Sequence, residues 1–180
     1  MSGKTSNKIV PRVLHLLFVA FLIALDQVTK YIARYFWAAG NDLILIDKVF
    51  RFTFLKNTGA AWGSFSGKTV VLSIVSLLIL CFVLYVYIRL PLDKRYLPLR
   101  ILVLLVVAGA VGNLIDRFAF GYVTDFLYFE LINFPVFNVA DCYITVSCFL
   151  LVILLLTKYR NDELDFISLK KKEPENNAEK

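Results

Sequence analysis

Histidine is nearly missing from this sequence, and its scarcity narrows the chemistry. Among 180 residues there is one, His15, at the N-terminal edge of the first apolar run. A histidine-ligated metal site needs several such donors, and a Ser-His-Asp triad needs one beside its carboxylate. Neither is expected, and no metal or other cofactor is called for. Cysteine is scarce too: Cys81, Cys142 and Cys148 show no CxxC or Cys/His spacing and make no disulfide framework. Cys81 and Cys148 lie inside apolar runs and read as small packing residues. Charge is the third shortage, with 19% of residues charged against 59% hydrophobic and a mean hydropathy of +0.70. A soluble domain is usually about 45–50% apolar and about 25% charged. The chain reads as an integral membrane protein.

A chain of this length holds about four spans of roughly 20 residues with short connections, and no sizeable soluble domain. The apolar runs place them at 13–37, 70–88, 97–116 and 139–157, within a membrane domain covering 1–160. The first run begins like the core of a signal peptide, with Ala20 and Ala24 as small residues, but it continues past Asp26 to Trp37. That is too long for a cleaved signal, so a retained span is expected. Residues 161–180 are charged and polar without an apolar period, the pattern of a disordered tail.

Between the first two spans, Phe50-Arg51-Phe52-Thr53-Phe54 alternates aromatic with polar residues, the period of a strand with one apolar face. Residues 43–46 are its natural partner. The turn-rich Lys56-Asn57-Thr58-Gly59-Ala60-Ala61-Trp62-Gly63 then returns the chain to the membrane, its glycines allowing close backbone approach. The expected fold class is an all-α membrane protein of four transmembrane helices, with a small extracytoplasmic β-cradle between the first two.

The net charge of +6 belongs to loops, with no soluble basic face for nucleic acid. Of the 20 Lys and Arg, 13 fall in the N-terminus, the 89–100 loop and the C-terminal tail, and six in the opposite connections. The positive-inside rule then sets both termini in the cytoplasm.

On the outer side this leaves residues 112–142, which hold three aspartates, Asp116, Asp125 and Asp141. The 20 residues from Leu97 to Asp116 rise about 30 Å as helix, the hydrocarbon thickness, so Asp116 reaches the outer interface and Asp141 opens the next span at similar depth. The loop between them is rich in aromatics, which favour the headgroup level. A charged group at such a position is a functional candidate. Two neighbouring carboxyls sharing a proton act as base toward a water and acid toward a peptide carbonyl. The apolar flanks of Asp125 favour pairing it with Asp141, and Arg117 beside Asp116 favours an ionised, structural role there. Spacing alone leaves Asp116 with Asp141 as a rival pair.

Asn-x-x-Asp occurs twice, as Asn113/Asp116 and Asn138/Asp141, and residues three apart on a helix share a face. Asn138 could equally be a helix cap with Asp141 near its positive end. Asp26 and Lys30 are spaced for an i,i+4 ion pair. Gly109 and Gly112, beside Ala108 and Ala110, suit close helix packing.

Taken together, Asp26-Gln27-Val28-Thr29-Lys30, Asn57-Thr58-Gly59-Ala60-Ala61-Trp62-Gly63, Gly112-Asn113-Leu114-Ile115-Asp116-Arg117, Val123-Thr124-Asp125-Phe126 and Phe137-Asn138-Val139-Ala140-Asp141 resemble the ordered motifs of bacterial lipoprotein signal peptidase, signal peptidase II. The resemblance covers roughly residues 13–157. It implies an aspartic endopeptidase that removes the signal peptide from diacylglyceryl-modified prolipoproteins, cutting before the lipidated cysteine with an Asp-activated water. It implies Asp125 and Asp141 as the catalytic pair. Asn57, Gly59, Asn113, Arg117 and Asn138 would contact substrate or shape the pocket, with Asp26, Lys30 and Asp116 in support. It also implies a multi-pass protein of the bacterial cytoplasmic (inner) membrane with the active site at the outer face and inhibition by globomycin-type cyclic peptides; the chain is expected to act as a monomer. Two departures stand out: Cys142 where the family commonly has Ser or Thr, and Trp62 in place of the more usual Phe.

Two other classes fit less well. An intramembrane aspartyl protease would carry a Gly-x-Gly-Asp motif, absent here. A transporter would need access from both sides and paired broken helices, whereas these carboxylates gather on one side.

Overall fold

A computed structural model describes residues 9–59, 69–159 and 163. Four helices dominate: α1 (Ile9–Phe36), α2 (Thr69–Arg89), α3 (Leu97–Phe120) and α4 (Val139–Thr157). Each is long and apolar enough to cross a membrane. Apolar side chains ring α1, α2 and α4, and many of them face outward, as lipid-facing helices require. Cys81 and Cys148 are on these exposed faces; they are not the interior packing residues expected from sequence, because an apolar run does not say which side of a lone helix meets protein.

The most buried helix is α3, and the other three pack against it. Its small residues explain how. A methyl group on Gly109 would stand 2.5 Å from the Ala140 carbonyl oxygen of α4 and 2.8 Å from Ile144 Cγ1, and one on Gly112 would stand 2.5 Å from an Asp26 carboxylate oxygen of α1. The two glycines thus set how near α4 and α1 come. Below them, Val19, Leu22, Leu80, Leu104 and Val107 form an apolar core between α1, α2 and α3. At that end His15 Nδ1 lies 2.9 Å from the Tyr87 hydroxyl, far from the carboxylates as its sequence position suggests.

Helix limits match the sequence reading closely for α2 and α4. α3 runs four residues past Asp116, to Phe120, and Gly121 closes it at φ 76°, its N–H bonded to the Arg117 carbonyl at 3.0 Å. A left-handed cap of this kind is the conformation glycine adopts without strain.

Beyond the helices stands a three-stranded antiparallel sheet ordered β1 (Leu43–Ile46), β2 (Phe50–Asn57), β3 (Val123–Phe129). The first two strands are those expected from the alternation. The third lies where the aromatic-rich sequence suggests a loop; it comes from between α3 and α4 and pairs with β2, so that Leu127 faces Phe52 and Asp125 faces Leu55. Trp37, just past α1, stacks on Phe52 with ring centroids 4.9 Å apart, tying the sheet to the helices. A bridge between Leu127 and Phe137 brings the segment before α4 against the same strand.

At the opposite end, Tyr159 is buried and donates to the Arg95 carbonyl at 2.9 Å. Most of the segment 161–180, expected as a tail, lies outside the described residues, as do residues 60–68 with Trp62. Glu163 is described, and it pairs with Arg95.

Candidate active site

The site forms where the C-terminal ends of α1 and α3 and the N-terminal end of α4 meet β2 and β3. α4 begins with a reciprocal cap: the Asp141 backbone N–H donates to the Asn138 side-chain oxygen at 3.0 Å, and the Asn138 N–H donates to Asp141 Oδ2 at 3.2 Å. Asn138 is therefore a helix cap. Its amide does more, donating to Asp125 Oδ1 at 2.6 Å and to Asn113 Oδ1 at 3.2 Å. From α3, Asn113 donates to Asp141 Oδ1 at 2.8 Å. From the end of β2, Asn57 donates to Asp125 Oδ2 at 2.7 Å, and its own oxygen is fixed by the Gly59 N–H at 3.0 Å.

Asp125 therefore sits on a strand, buried, with both oxygens accepting amide protons. Burial pushes its carboxyl up to about 7, helped by the nearby charge of Asp141 and opposed by the amides of Asn57 and Asn138 and by the charge of Lys30. A carboxyl poised there can hold or release a proton near neutrality.

A cavity of about 500 Å³ opens at these groups. Asn57, Gly59, Asn113, Arg117, Asp125 and Asp141 give it polar walls, while residues 134–137 and Cys142, Thr145 and Val146 extend it along α4. Arg117 also donates to Ser76 of α2 at 3.4 Å.

Asp26, Lys30 and Asp116 are fully buried behind this wall. Lys30 Nζ lies 2.9 Å from Asp26 Oδ2, the i,i+4 pair expected, donates to Asn113 Oδ1 at 2.8 Å and stands 3.9 Å from Asp116 Oδ2. Asp26 also accepts the Ala140 N–H at 2.9 Å, holding the first turn of α4. The partner of Asp116 is not its neighbour Arg117 but Arg34 of α1, 3.4 Å away, and its other oxygen accepts the Thr124 N–H at 2.8 Å. A helix turns about 100° per residue, which sends adjacent side chains in different directions. Asp116 does not line the cavity; Arg117 does.

Three residues of this framework carry no motif signal of their own as site residues. Gln27 donates to Asp26 Oδ2 at 3.1 Å and to the Gly112 carbonyl at 3.0 Å. Arg34 and Thr124 join at 2.8 Å. The spacing 26, 30, 34 along one helical stripe was the available signal for Arg34. Among the described residues no group of three His, Cys, Asp or Glu side chains is arranged to hold a metal.

The family model of signal peptidase (SPase) II matches residues 18–157. The chain belongs to the signal peptidase II family. Among lipoprotein signal peptidases, that of Clostridium novyi (strain NT) is 40% identical over 146 residues, covering 79% of this chain and 97% of its own. That of Trichormus variabilis is 41% identical over 141 residues (78% and 87%), and that of Staphylococcus aureus strain JH9 is 36% identical over 149 residues (81% and 90%). A bacterial membrane enzyme solved by the in meso method at 2.3 Å resolution superimposes with a TM-score of 0.70 at 34% identity, covering 89% of this chain and 94% of that one. As a signal peptidase II, the chain is a multi-pass bacterial membrane peptidase that removes signal peptides from lipoproteins.

Proposed function

We propose that this peptidase is aspartic, with Asp125 and Asp141 as its catalytic pair, and that it cuts diacylglyceryl-modified prolipoproteins just before the lipidated cysteine. The observation that carries the proposal is the shared cavity: Asp125 and Asp141 line it and both bond to Asn138, while Asp116, the rival from sequence, is committed to Arg34 and Thr124 behind the wall.

In this reading one carboxylate takes a proton from water as the water oxygen attacks the scissile carbonyl, and the other carboxylic acid gives its proton to the carbonyl oxygen. The resulting tetrahedral diol collapses: the C–N bond breaks, the amine leaves with a proton, and the new carboxyl leaves on the signal peptide side. The amides of Asn57, Asn113 and Asn138 orient the two carboxyls, and Arg117 faces the substrate backbone. The apolar wall along α4 suits a signal peptide and lipid chains, with acyl burial contributing about 0.8 kcal/mol per CH₂.

The topology proposed with it sets both termini in the cytoplasm and the site at the outer face of the inner membrane, supported by the excess of Lys and Arg at the termini and the 89–100 loop. The proposed partners are the prolipoprotein, the surrounding bilayer and globomycin-type inhibitors, with the protein acting as a monomer and no part for nucleic acid. The test uses purified protein with lipidated and unlipidated precursors, with and without globomycin. Asp125→Asn and Asp141→Asn are each expected to abolish turnover with thermal stability preserved, and the unlipidated precursor to be cut poorly. Full activity in either variant overturns the pair.

A further inference from the structure

Arg34 is a cation near the end of α1 whose position the proposed reaction does not use. Its side chain is 19% exposed, and three separate groups hold it. Nη1 donates to Thr124 Oγ1 at 2.8 Å and lies 3.4 Å from Asp116 Oδ1, and the guanidinium covers the Phe120 ring at 4.5 Å from its centroid. Asp116 in turn accepts the Thr124 backbone N–H at 2.8 Å. Thr124, fully buried, is therefore gripped through both its hydroxyl and its amide by one Arg–Asp pair drawn from two different helices.

Thr124 is the residue before Asp125 on β3. Side chains alternate across a strand, so the face carrying Thr124 meets α1 and α3 while the next residue faces the cavity. The ladder to β2 holds this stretch from its edge, in register from Val123 to Asp125, and shifts only beyond it, between Leu55 and Phe52. The Arg34–Asp116 grip supplies the hold from the other side.

We infer that Arg34, through Thr124, is a positioning residue that sets where the Asp125 carboxyl stands in the cavity. The inference rests on Asp125 being catalytic. A displacement of about 1 Å in a reacting group costs on the order of 100-fold in rate, so loosening this strand lowers kcat without touching the surfaces that bind the signal peptide.

The experiment measures kcat, KM and the pH profile of lipoprotein cleavage for Arg34→Ala, Thr124→Val, Thr124→Ser and the Arg34→Ala/Thr124→Val double variant, with thermal unfolding of each. Val keeps the shape of Thr and removes the hydroxyl that accepts from Arg34, so it carries the test if Arg34→Ala fails to fold. The expected result is a fall in kcat of roughly 10- to 100-fold for Arg34→Ala and Thr124→Val, KM within about twofold, and a moved alkaline limb as the amide bonds to Asp125 lengthen. The double variant is expected to be no worse than the poorer single one, and Thr124→Ser to restore kcat and the limb. Wild-type kcat and pH profile per folded enzyme in Thr124→Val, or losses that multiply in the double variant, overturn the inference. Activity in Asp125→Asn would instead remove the catalytic pair itself, a result distinguishable from either.

Discussion

Asn138 donates its side-chain amide to Asp125 across 2.6 Å while its backbone N–H donates to Asp141. One residue thus links the strand carboxyl to the helix carboxyl, and it does so from the cap position of α4. Loss of an N-cap side chain costs about 1 kcal/mol, and loss of the amide leaves Asp125 with one oxygen unpaired. Asn138→Ala is expected to lower thermal stability modestly and cleavage by roughly 100-fold or more, checked by unfolding in detergent and by initial rates. A stable variant with near-normal rate would separate the cap from the chemistry.

The pH dependence follows from Asp125, whose carboxyl is pushed up to about 7. The proposed pair works with one proton between its two carboxyls; above that value the proton is lost, and kcat is expected to fall by about tenfold per pH unit. Asn57 favours the charged form by its hydrogen bond and so holds the value down. Removing that donor in Asn57→Ala is expected to move the alkaline limb to higher pH, read from kcat between pH 5 and about 9.5.

The same shift has a signature in stability. A buried carboxyl raised from 3.8 binds its proton more tightly folded than unfolded. Its contribution is full below the unfolded value and declines as pH rises through the folded one. The wild-type melting temperature is expected to fall between about pH 4 and pH 8, and Asp125→Asn to flatten that slope.

Lys30 is buried with Asp26 at 2.9 Å and Asp116 at 3.9 Å. Lys30→Met removes the cation and leaves the Asp26 carboxylate uncompensated, which costs about 3–5 kcal/mol for a buried pair. Pairing it with Asp26→Asn is expected to recover part of the stability, since neither charge then remains alone. Thermal unfolding of the single and double variants is the check.

Gly112→Ala sets a methyl 2.5 Å from the Asp26 carboxylate. Asp26 also holds Lys30 and the Ala140 N–H, so the displacement reaches the first turn of α4. Overpacking of this kind costs about 1–3 kcal/mol, and cleavage is expected to fall along with stability.

Spans, strands and site were legible in the chain to different degrees. Long apolar runs marked α2 and α4 nearly to the residue, because hydrocarbon thickness fixes the length of a crossing helix. β1 and β2 followed from period-two alternation. β3 did not: within Val123–Phe129 the residues are mostly apolar on both faces, and only pairing with β2, some 70 residues earlier in the chain, makes them a strand. Asp125 was accordingly expected on a loop.

The motifs named the polar residues of the site, and spacing alone predicted the Asp26–Lys30 pair, because i,i+4 neighbours meet on any helix. The division of the three aspartates needed the tertiary structure. Arg117 beside Asp116 points to a structural role for Asp116, yet the helical turn separates the two and gives Asp116 to Arg34 and Thr124. Which carboxyls share a cavity is set by how α3, α4 and β3 are brought together, and that depends on Gly109 and Gly112 admitting the neighbouring helices. By itself the sequence determined the spans, the first two strands and the residue types gathered at one end. Only the tertiary structure decided which of those residues face each other, because contacts between distant segments depend on packing distances that no local pattern encodes.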